Sequence, residues 1–285
     1  MGNSVSIIIP AKNEAQSIGQ LIGQIQDGEW ATEILVIDDG STDGTGTIAE
    51  EHGAVVIRHS YSKGNGAAIK AGARAAVGDI LVFMDADGQH SASDLPRLIG
   101  RLLEGFDMVV GARQRGSQAS LGRDLANRFY NTLSSFMAGH KIIDLTSGYR
   151  AARAAKFKKF LYLLPNGFSY PTTSTMAFFR AGYSVDYIPI DAARREGKSH
   201  IRPLRDGIRF LLIIFKIGTL YSPLKLFVPI SFSVFLLGLS YYGYTYFTHG
   251  RFTNMSALMF TTALLVFLVG LVSEQITTLL YKDSD

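Results

Sequence analysis

The sequence predicts an α/β domain on a Rossmann-like, mostly parallel sheet, followed by a two-helix transmembrane hairpin. Three observations carry this. Short β-branched runs alternate with helical stretches over residues 1–200, and such alternation favours parallel strands covered by helices on both faces. The polar and Gly-rich segments come after the strands, as expected where ligands bind outside the carboxyl ends of a sheet. Two long, nearly uncharged apolar segments close the chain, each long enough to span a bilayer.

Residues 5–9 form a β-branched run that stops at Pro10, the pattern of a strand buried on both faces. Asn13 and Glu14 open a helix reaching residue 26, with Ile18, Leu21, Ile22 and Ile25 on one face. Residues 33–37 are a second strand, ending in a turn-rich loop from Asp38 to Thr45 whose Ser, Thr and Asp side chains suit capping of the next helix. A third strand covers 54–58, and Lys63-Gly64-Asn65-Gly66 starts an Ala-rich helix to residue 76. Strands at 80–84 and 108–110 flank a helix at 94–104, and the second of them runs into Gly111-Ala112-Arg113. Helices are expected at 121–139 and 157–164 and a strand at 183–190. Between them lie Asp144-Leu145-Thr146-Ser147-Gly148-Tyr149-Arg150 and the basic loop 194–200.

The 285 residues carry 28 Lys and Arg against 24 Asp and Glu, a net charge of +4. The excess is concentrated between Arg113 and Arg209, and no nucleic-acid-reading module is visible. It therefore reads as facing phosphates or an anionic membrane surface, not nucleic acid. The absence of Cys excludes disulfides and Cys-ligated zinc. The N-terminus enters a strand directly, with no basic region and apolar segment of the signal-peptide kind.

From residue 202 the chain changes character. At about 100° per residue, Arg202, Arg205, Arg209 and Lys216 share one sector of a helix, opposite Ile201, Leu204, Ile208, Leu211, Leu212 and Phe215. Residues 201–225 are thus expected to lie in the membrane interface. A domain helix packed on the sheet is the alternative. Residues 226–285 hold the hairpin, with spans expected at 226–246 and 257–280 and a short link containing Arg251. By the positive-inside rule, the Lys and Arg before the first span are expected to put the α/β domain and both termini in the cytoplasm, in a multi-pass protein of the cell membrane. Glu274, near the end of the second span, is expected to snorkel or to pair between helices.

The chemistry centres on Asp85-Ala86-Asp87-Gly88-Gln89-His90, which follows the strand at 80–84. Two carboxylates one residue apart at a strand's end suit a hard divalent cation whose other partners are phosphate oxygens. A solvated turn is the alternative, and the buried strand before it argues against that. The successive motifs Ile7-Ile8-Ile9-Pro10-Ala11-Lys12-Asn13-Glu14, Val36-Ile37-Asp38-Asp39-Gly40-Ser41-Thr42-Asp43-Gly44-Thr45, Lys63-Gly64-Asn65-Gly66 and Met84-Asp85-Ala86-Asp87-Gly88-Gln89-His90 resemble those of family 2 glycosyltransferases with the GT-A fold. Thr146-Ser147-Gly148-Tyr149-Arg150 and Arg194 with Gly197-Lys198-Ser199 resemble the dolichol-phosphate mannose synthase-like branch, the polyprenyl-phosphate glycosyltransferases. The two closing spans resemble its bacterial undecaprenyl-phosphate members.

The resemblance implies a nucleotide-diphospho-sugar donor, polyprenyl phosphate as acceptor, and Mg²⁺ or Mn²⁺ on Asp85, Asp87 and Gln89. It implies that Pro10, Asn13, Glu14, Asp38, Asp39, Ser41, Lys63, Gly66, Asp85, Ala86 and Asp87 bind the nucleotide-sugar. For Gly64 and Gly66 a plain Gly-rich turn is equally open. Arg113, Arg128, Ser147, Arg194 and Lys198 are implied to meet the acceptor phosphate, with Asp85, Asp87, Arg113 and Arg194 carrying catalysis and Arg150 grouped beside them. Arg suits this role because its planar fork binds phosphate oxygens in pairs. His90 and His200 read as loop histidines ahead of general bases. Related bacterial enzymes form tetramers, so a homo-oligomer through the hairpin is implied as well. GDP-mannose, UDP-glucose and UDP-N-acetylglucosamine are not distinguished by any residue, nor is dolichyl from undecaprenyl phosphate. A transferase for another lipid acceptor and a membrane-anchored nucleotide-sugar-binding scaffold without turnover are the competing readings.

Overall fold

The computed structural model describes residues 3–88, 90–113, 121–167, 169–191, 216 and 219–280. They fall into two compact units, Met1–Ser135 with His140–Ser199 and Phe136–Gly139 with His200–Asp285. The expected interfacial segment lies almost wholly outside the described residues, as do Gln89, Arg194, Lys198 and His200.

In the first unit, β1 (Val5–Ala11), β2 (Glu33–Asp38), β3 (Val55–Arg58), β4 (Ile80–Phe83), β5 (Met108–Arg113), β6 (Arg150–Arg153) and β7 (Val185–Ile190) form one sheet in the order β3-β2-β1-β4-β6-β5-β7. All pairings are parallel except those of β6, which runs antiparallel to both β4 and β5. Helices α1 (Ile18–Asp27), α2 (Thr45–Glu51), α3 (Asn65–Ala75), α4 (Leu95–Leu103), α5 (Leu121–Ala138), α6 (Ala154–Lys158) and α7 (Tyr170–Arg180) accompany it. The core is the expected one. Ile7, Ile8 and Ile9 are fully buried, as are Val36, Val82 and Val109 on the neighbouring strands, and each such side chain contributes about 1.5–3 kcal/mol by leaving water. Ile18, Leu21, Ile22 and Ile25 of α1 are buried against this core at helical spacing.

Four elements differ from expectation. Helix α1 begins at Ile18 and not at Asn13, because Asn13 takes a left-handed φ of 56°, a conformation Asn tolerates better than most residues. The Glu14 carbonyl then starts the helix by accepting from Ser17 and Ile18 N–H. Helix α6 stops at Lys158, and tight turns carry the chain on. Strand β6 was not expected, since Ala and Arg are weak strand formers. It is nonetheless inserted between β4 and β5, with Arg150, Ala151 and Ala152 fully buried. Helix α7 was not expected either. Its Thr-Thr-Ser-Thr run has low helix propensity, yet all residues from Tyr170 to Phe178 are buried. Ser174 and Thr175 hydroxyls donate to the Pro171 carbonyl inside the helix.

The second unit contains α8 (Pro223–His249) and α9 (Asn254–Leu280), which form a hairpin. Both helices are long and apolar enough to cross a membrane, and little of either is buried. Small residues at seven-residue spacing line the contact between them, Ser231, Gly238 and Thr245 on α8 and Ser256, Ala263 and Gly270 on α9, with Gly238 against Met259 and Phe260 and Gly270 against Phe227. Ser231 Oγ donates to the Ala263 carbonyl at 2.7 Å. Small residues let membrane helices approach closely, and a seven-residue repeat keeps the seam on one side of each. Large side chains such as Phe232, Leu237, Leu264 and Val272 point outward. Glu274 pairs between the helices, as expected, by accepting from the Leu224 N–H at the start of α8. A Cβ on Gly270 would stand 2.6 Å from the Cβ of Phe227. Gly270→Leu should therefore force the helices apart at a cost of about 1–3 kcal/mol, read as a lower melting temperature of the purified chain in detergent. An unchanged melt would show that the seam is not tightly packed.

Candidate active site

The site is built at the carboxyl edge of the parallel strands. Register places Ala11 of β1 beside Asp38 of β2, and Ile8 beside Phe83 of β4. The chain therefore leaves β1, β2 and β4 at one edge, where the β1–α1 and β2–α2 loops are laced together. Asn13 N–H donates to Ser41 Oγ at 3.0 Å, Thr42 N–H to Asn13 Oδ1 at 2.9 Å, and Glu14 N–H to Thr45 Oγ1 at 2.9 Å. Asp38 caps its own loop by accepting from Ser41 N–H. Asn13, Glu14, Asp38 and Ser41 thus come together as expected, although Asn13 and Ser41 use their side chains on each other's loops.

Asp39 has a different occupation. One carboxylate oxygen accepts from His59 Nδ1 and Lys63 N–H, the other from Ser62 Oγ and Gly64 N–H, all at 2.7–2.9 Å. Desolvation pushes this carboxyl up, but the four hydrogen bonds outweigh it and hold the group at about 2. Asp39 is an anchor for the loop between β3 and α3.

Gly66, implied at the nucleotide-sugar, has its backbone engaged by a neighbouring loop. Gly66 and Ala67 N–H donate to the carbonyls of Gly167 and Asn166, so those donors are taken. A Cβ on Gly66 would lie 2.0 Å from the Pro165 carbonyl oxygen, and one on Gly64 2.6 Å from that of Asn166. The glycines admit a neighbouring loop, not a ligand. The Lys63 ammonium stands over the Tyr61 ring, 5.7 Å from its centroid, in a groove that neither Asp85 nor Asp87 lines.

Asp85 and Asp87 follow β4 directly. Ser17 Oγ donates to the Ala86 carbonyl at 2.6 Å, pinning the loop between them onto α1. Burial pushes the Asp85 carboxyl above the ordinary carboxylate range; His90 opposes the shift, Asp87 adds to it, and Arg150 and Arg113 oppose it. His90 is buried too. It stacks on Tyr149 at 4.9 Å, and its Nδ1 faces the Asp85 N–H at 3.4 Å. Desolvation lowers its proton affinity.

The other side of the site comes from the loop that leads into β6. Because β6 is antiparallel, its first residue lies at the edge where the parallel strands end, and Arg150 pairs with Phe83 and Val110. Residues 144–149 are thereby delivered to the site. Asp144 is the residue sequence reasoning missed. It receives Arg113 Nε and Nη2 at 2.8 and 2.9 Å, and also the N–H groups of Thr146 and Ser147. Desolvation raises its carboxyl, but the Arg113 pair wins and holds it below the usual range. Its sequence signal was its place six residues before a buried Arg, legible only once β6 is known.

Gly148 explains how Asp85 fits. A Cβ there would lie 2.7 Å from Asp85 Oδ2. Gly148→Ala should rotate that carboxylate while sparing the backbone, so turnover should fall at least about tenfold with little change in melting temperature. Equal losses in both would indicate a folding defect.

Two residues expected among the phosphate-facing ones are buried. Ser147 is 2% exposed, held down by Asp144 at its N–H and Arg150 at its carbonyl. Arg150, grouped with the phosphate-facing arginines, is completely buried and bonds to Pro171 O, Ser174 Oγ, Thr175 Oγ1 and Ser147 O. Arg128 is exposed on α5. Asp85, Asp87, Arg113 and Asp144 all act electrostatically on His90, and Arg150 acts on Asp85.

Residues 6–161 match the family described as glycosyl transferase family 2. The chain belongs to that family. It is a glycosyltransferase with a GT-A-like, mostly parallel sheet, and residues 222–279 match the GtrB C-terminal hairpin. Glycosyltransferase AglJ of Haloferax volcanii is 31% identical to this transferase over 97% of the chain and 95% of the relative. Polyprenol monophosphomannose synthase of Mycolicibacterium smegmatis is 33% identical over 67% and 77%, and the undecaprenyl-phosphate mannosyltransferase of Micrococcus luteus 32% over 67% and 84%. Among solved structures, glucosyl-3-phosphoglycerate synthase from Mycobacterium tuberculosis, in complex with Mn²⁺, UDP and phosphoglyceric acid, superposes with a TM-score of 0.58 at 25% identity, covering 75% of this transferase and 78% of that chain.

Proposed function

We propose that the transferase moves one hexosyl unit, with inversion, from a nucleotide-diphospho-sugar to polyprenyl phosphate at the cytoplasmic face of the cell membrane. The observation that carries this reading is the edge where Asp85 and Asp87 meet the Arg113–Asp144 pair, in a chain that ends in an apolar hairpin. The relatives named for polyprenol and undecaprenyl phosphate support the acceptor, and the solved relative bound to Mn²⁺ and UDP supports the donor class.

Asp85 and Asp87 fit a divalent cation. They are hard oxygen donors, and Mg²⁺ or Mn²⁺ is commonly held by one or two carboxylates plus substrate phosphates. Burial and repulsion from Asp87 leave Asp85 in need of positive charge. No group of three or more His, Asp or Glu side chains gathers as a metal site among the described residues, and Gln89 is the further ligand proposed. When bound, the cation would neutralise charge developing on the leaving diphosphate.

The acceptor needs no general base. A phosphate monoester has its second pKa near 6 and is largely dianionic at neutral pH. One of its oxygens forms the new bond to the anomeric carbon. The bond from that carbon to the donor's terminal phosphate oxygen breaks, and its electron pair leaves with the nucleoside diphosphate. Ser17 and Gly148 hold the Asp85–Asp87 loop in place for this, while Arg113, positioned by Asp144, supplies cationic charge. Pro10, Asn13, Glu14, Asp38 and Ser41 are proposed to receive the nucleotide, and Arg194 and Lys198 to join Arg113 at the acceptor.

Incubating the full chain with polyprenyl phosphate, Mn²⁺ and each of GDP-mannose, UDP-glucose and UDP-N-acetylglucosamine, followed by mass spectrometry of the lipid, tests this. One donor should add a single sugar to the phosphate, with the opposite anomeric configuration by NMR. Sugar found on a neutral lipid, or nucleotide binding without turnover, would reject the reading.

A further inference from the structure

We infer that the outer face of α3 carries a second anion site, one that takes a phosphate monoester or diphosphate group. A cavity of 540 Å³ lies there, lined by His59, Tyr61, Ser62, Lys63, Lys70, Arg74 and Asn166, with Ala67 and Ala71 at its floor. At about 100° per residue, Ala67, Lys70, Ala71 and Arg74 occupy the side of α3 opposite Ala68, Ile69, Gly72 and Ala73, which cover the sheet. The cavity therefore opens on the side of α3 away from the sheet. One of its walls is the loop that follows β3, anchored by Asp39, to which His59 and Ser62 are bonded. None of the residues proposed to receive the nucleotide lines it, and Lys63, which the resemblance implied at the nucleotide-sugar, lines this groove instead.

The charge in the cavity is one-signed. Lys63, Lys70 and Arg74 line it, and no Asp or Glu does. The Lys70 ammonium is instead held by neutral acceptors, the Leu164 carbonyl at 3.1 Å and Asn166 Oδ1. Desolvation, with Arg74 beside it, keeps Lys70 below the ordinary lysine range. Like charges four residues apart on a helix cost a few tenths of a kcal/mol, and a third cation in the same hollow adds to the repulsion. An anion relieves it. The two alanines are small, and the cavity leaves room for an ion beside these cations. Arg offers a bidentate fork and Lys two point charges, a combination suited to tetrahedral phosphate oxygens. The groove fits a group carrying two or three negative charges, whether on a soluble phosphate compound or on a lipid headgroup.

The test uses the full chain in neutral detergent with EDTA, which removes divalent cations from the Asp85–Asp87 edge. Inorganic pyrophosphate is titrated by calorimetry against wild type, Lys70→Gln/Arg74→Gln, and the charge-keeping Lys70→Arg/Arg74→Lys. In a second arm, the same proteins are placed in nanodiscs of phosphatidylcholine with or without phosphatidic acid and melted. A loss of pyrophosphate affinity of at least tenfold in the Gln variant, retained in the charge-keeping one, supports the site with a soluble ligand. No pyrophosphate binding, but a phosphatidic acid-dependent rise in melting temperature lost only in the Gln variant, supports it with a lipid ligand. Sugar transfer without added phosphate should be the same in all three, which guards against misfolding. Arg74→Gln alone, at an exposed position, should weaken binding in the same arm and leaves the loop held by Lys70 intact. If the double Gln variant matches wild type in both arms, the inference is wrong.

Discussion

Asp87→Asn is expected to lower sugar transfer by about 10²–10³-fold, the range seen when one group that stabilises developing charge is removed, while the chain keeps its melting temperature. The substitution keeps the volume of the side chain, so no cavity opens. Asp87 lies beyond the end of β4 and outside the packed strands, so no sheet hydrogen bond depends on it. Its charge is one of the influences that push Asp85 upward, and removing it relieves the folded state. Stability should therefore hold or rise slightly as activity disappears. The check pairs a transfer assay at saturating Mn²⁺ with a thermal melt. Chelation should reduce the wild type to a similar level, with activity restored by Mn²⁺ in the wild type alone. Full turnover by the Asn variant would remove Asp87 from the reaction.

The parts of this chain that could be read in advance are those where a hydrophobic pattern and a function coincide. The strand at 5–9 was legible because three consecutive Ile residues have no other place in an α/β domain, and the hairpin because its apolar segments have the length of a bilayer. The Asp85-Ala86-Asp87 loop was legible through the buried strand before it. Strand β6 was not. Its sequence, Arg-Ala-Ala-Arg, has neither alternation nor β-branched residues, and a central position in the sheet overrode its propensity. That omission hid the most informative side of the site, since Asp144, Ser147 and Gly148 reach it only because β6 runs backwards. Gly64 and Gly66 suited the close approach of a ligand, but the room belongs to residues 165–167. Local sequence shows that a backbone is approached closely; it does not say by what.

Arg150→Met is expected to destabilise the chain by about 3–5 kcal/mol, the cost of removing one partner from a buried ionic network, which lowers the melting temperature on the order of 10 °C for a domain of this size. Motif order grouped this residue with arginines that meet a phosphate, but its guanidinium is fully buried between β6 and α7. There it donates to four oxygen acceptors and stands 5.7 Å from the centroid of the Tyr170 ring. Burial lowers its proton affinity, though an Arg remains charged even so, and the negative charges acting on it include Asp144 and Asp85. Met fills much of the volume and spares the desolvation of a cation, which favours the variant. Against that, the Ser147 carbonyl loses its donor, at about 1–3 kcal/mol for a group left unsatisfied, Pro171 O and the Ser174 and Thr175 hydroxyls keep only their bonds to each other, and Asp144 and Asp85 lose a counter-charge. The second effect is larger. It also reaches the reaction, because Arg150 fixes Ser147 O, and the next residue, Gly148, is the surface on which Asp85 rests. Arg150→Lys should recover part of the stability, since one ammonium reaches fewer of the acceptors, and less of the activity, since the loop 144–149 would still be loosely held. A melting temperature within about 2 °C of wild type for Arg150→Met, together with a selective rise in the polyprenyl phosphate needed for half-maximal rate, would return this residue to the acceptor site instead.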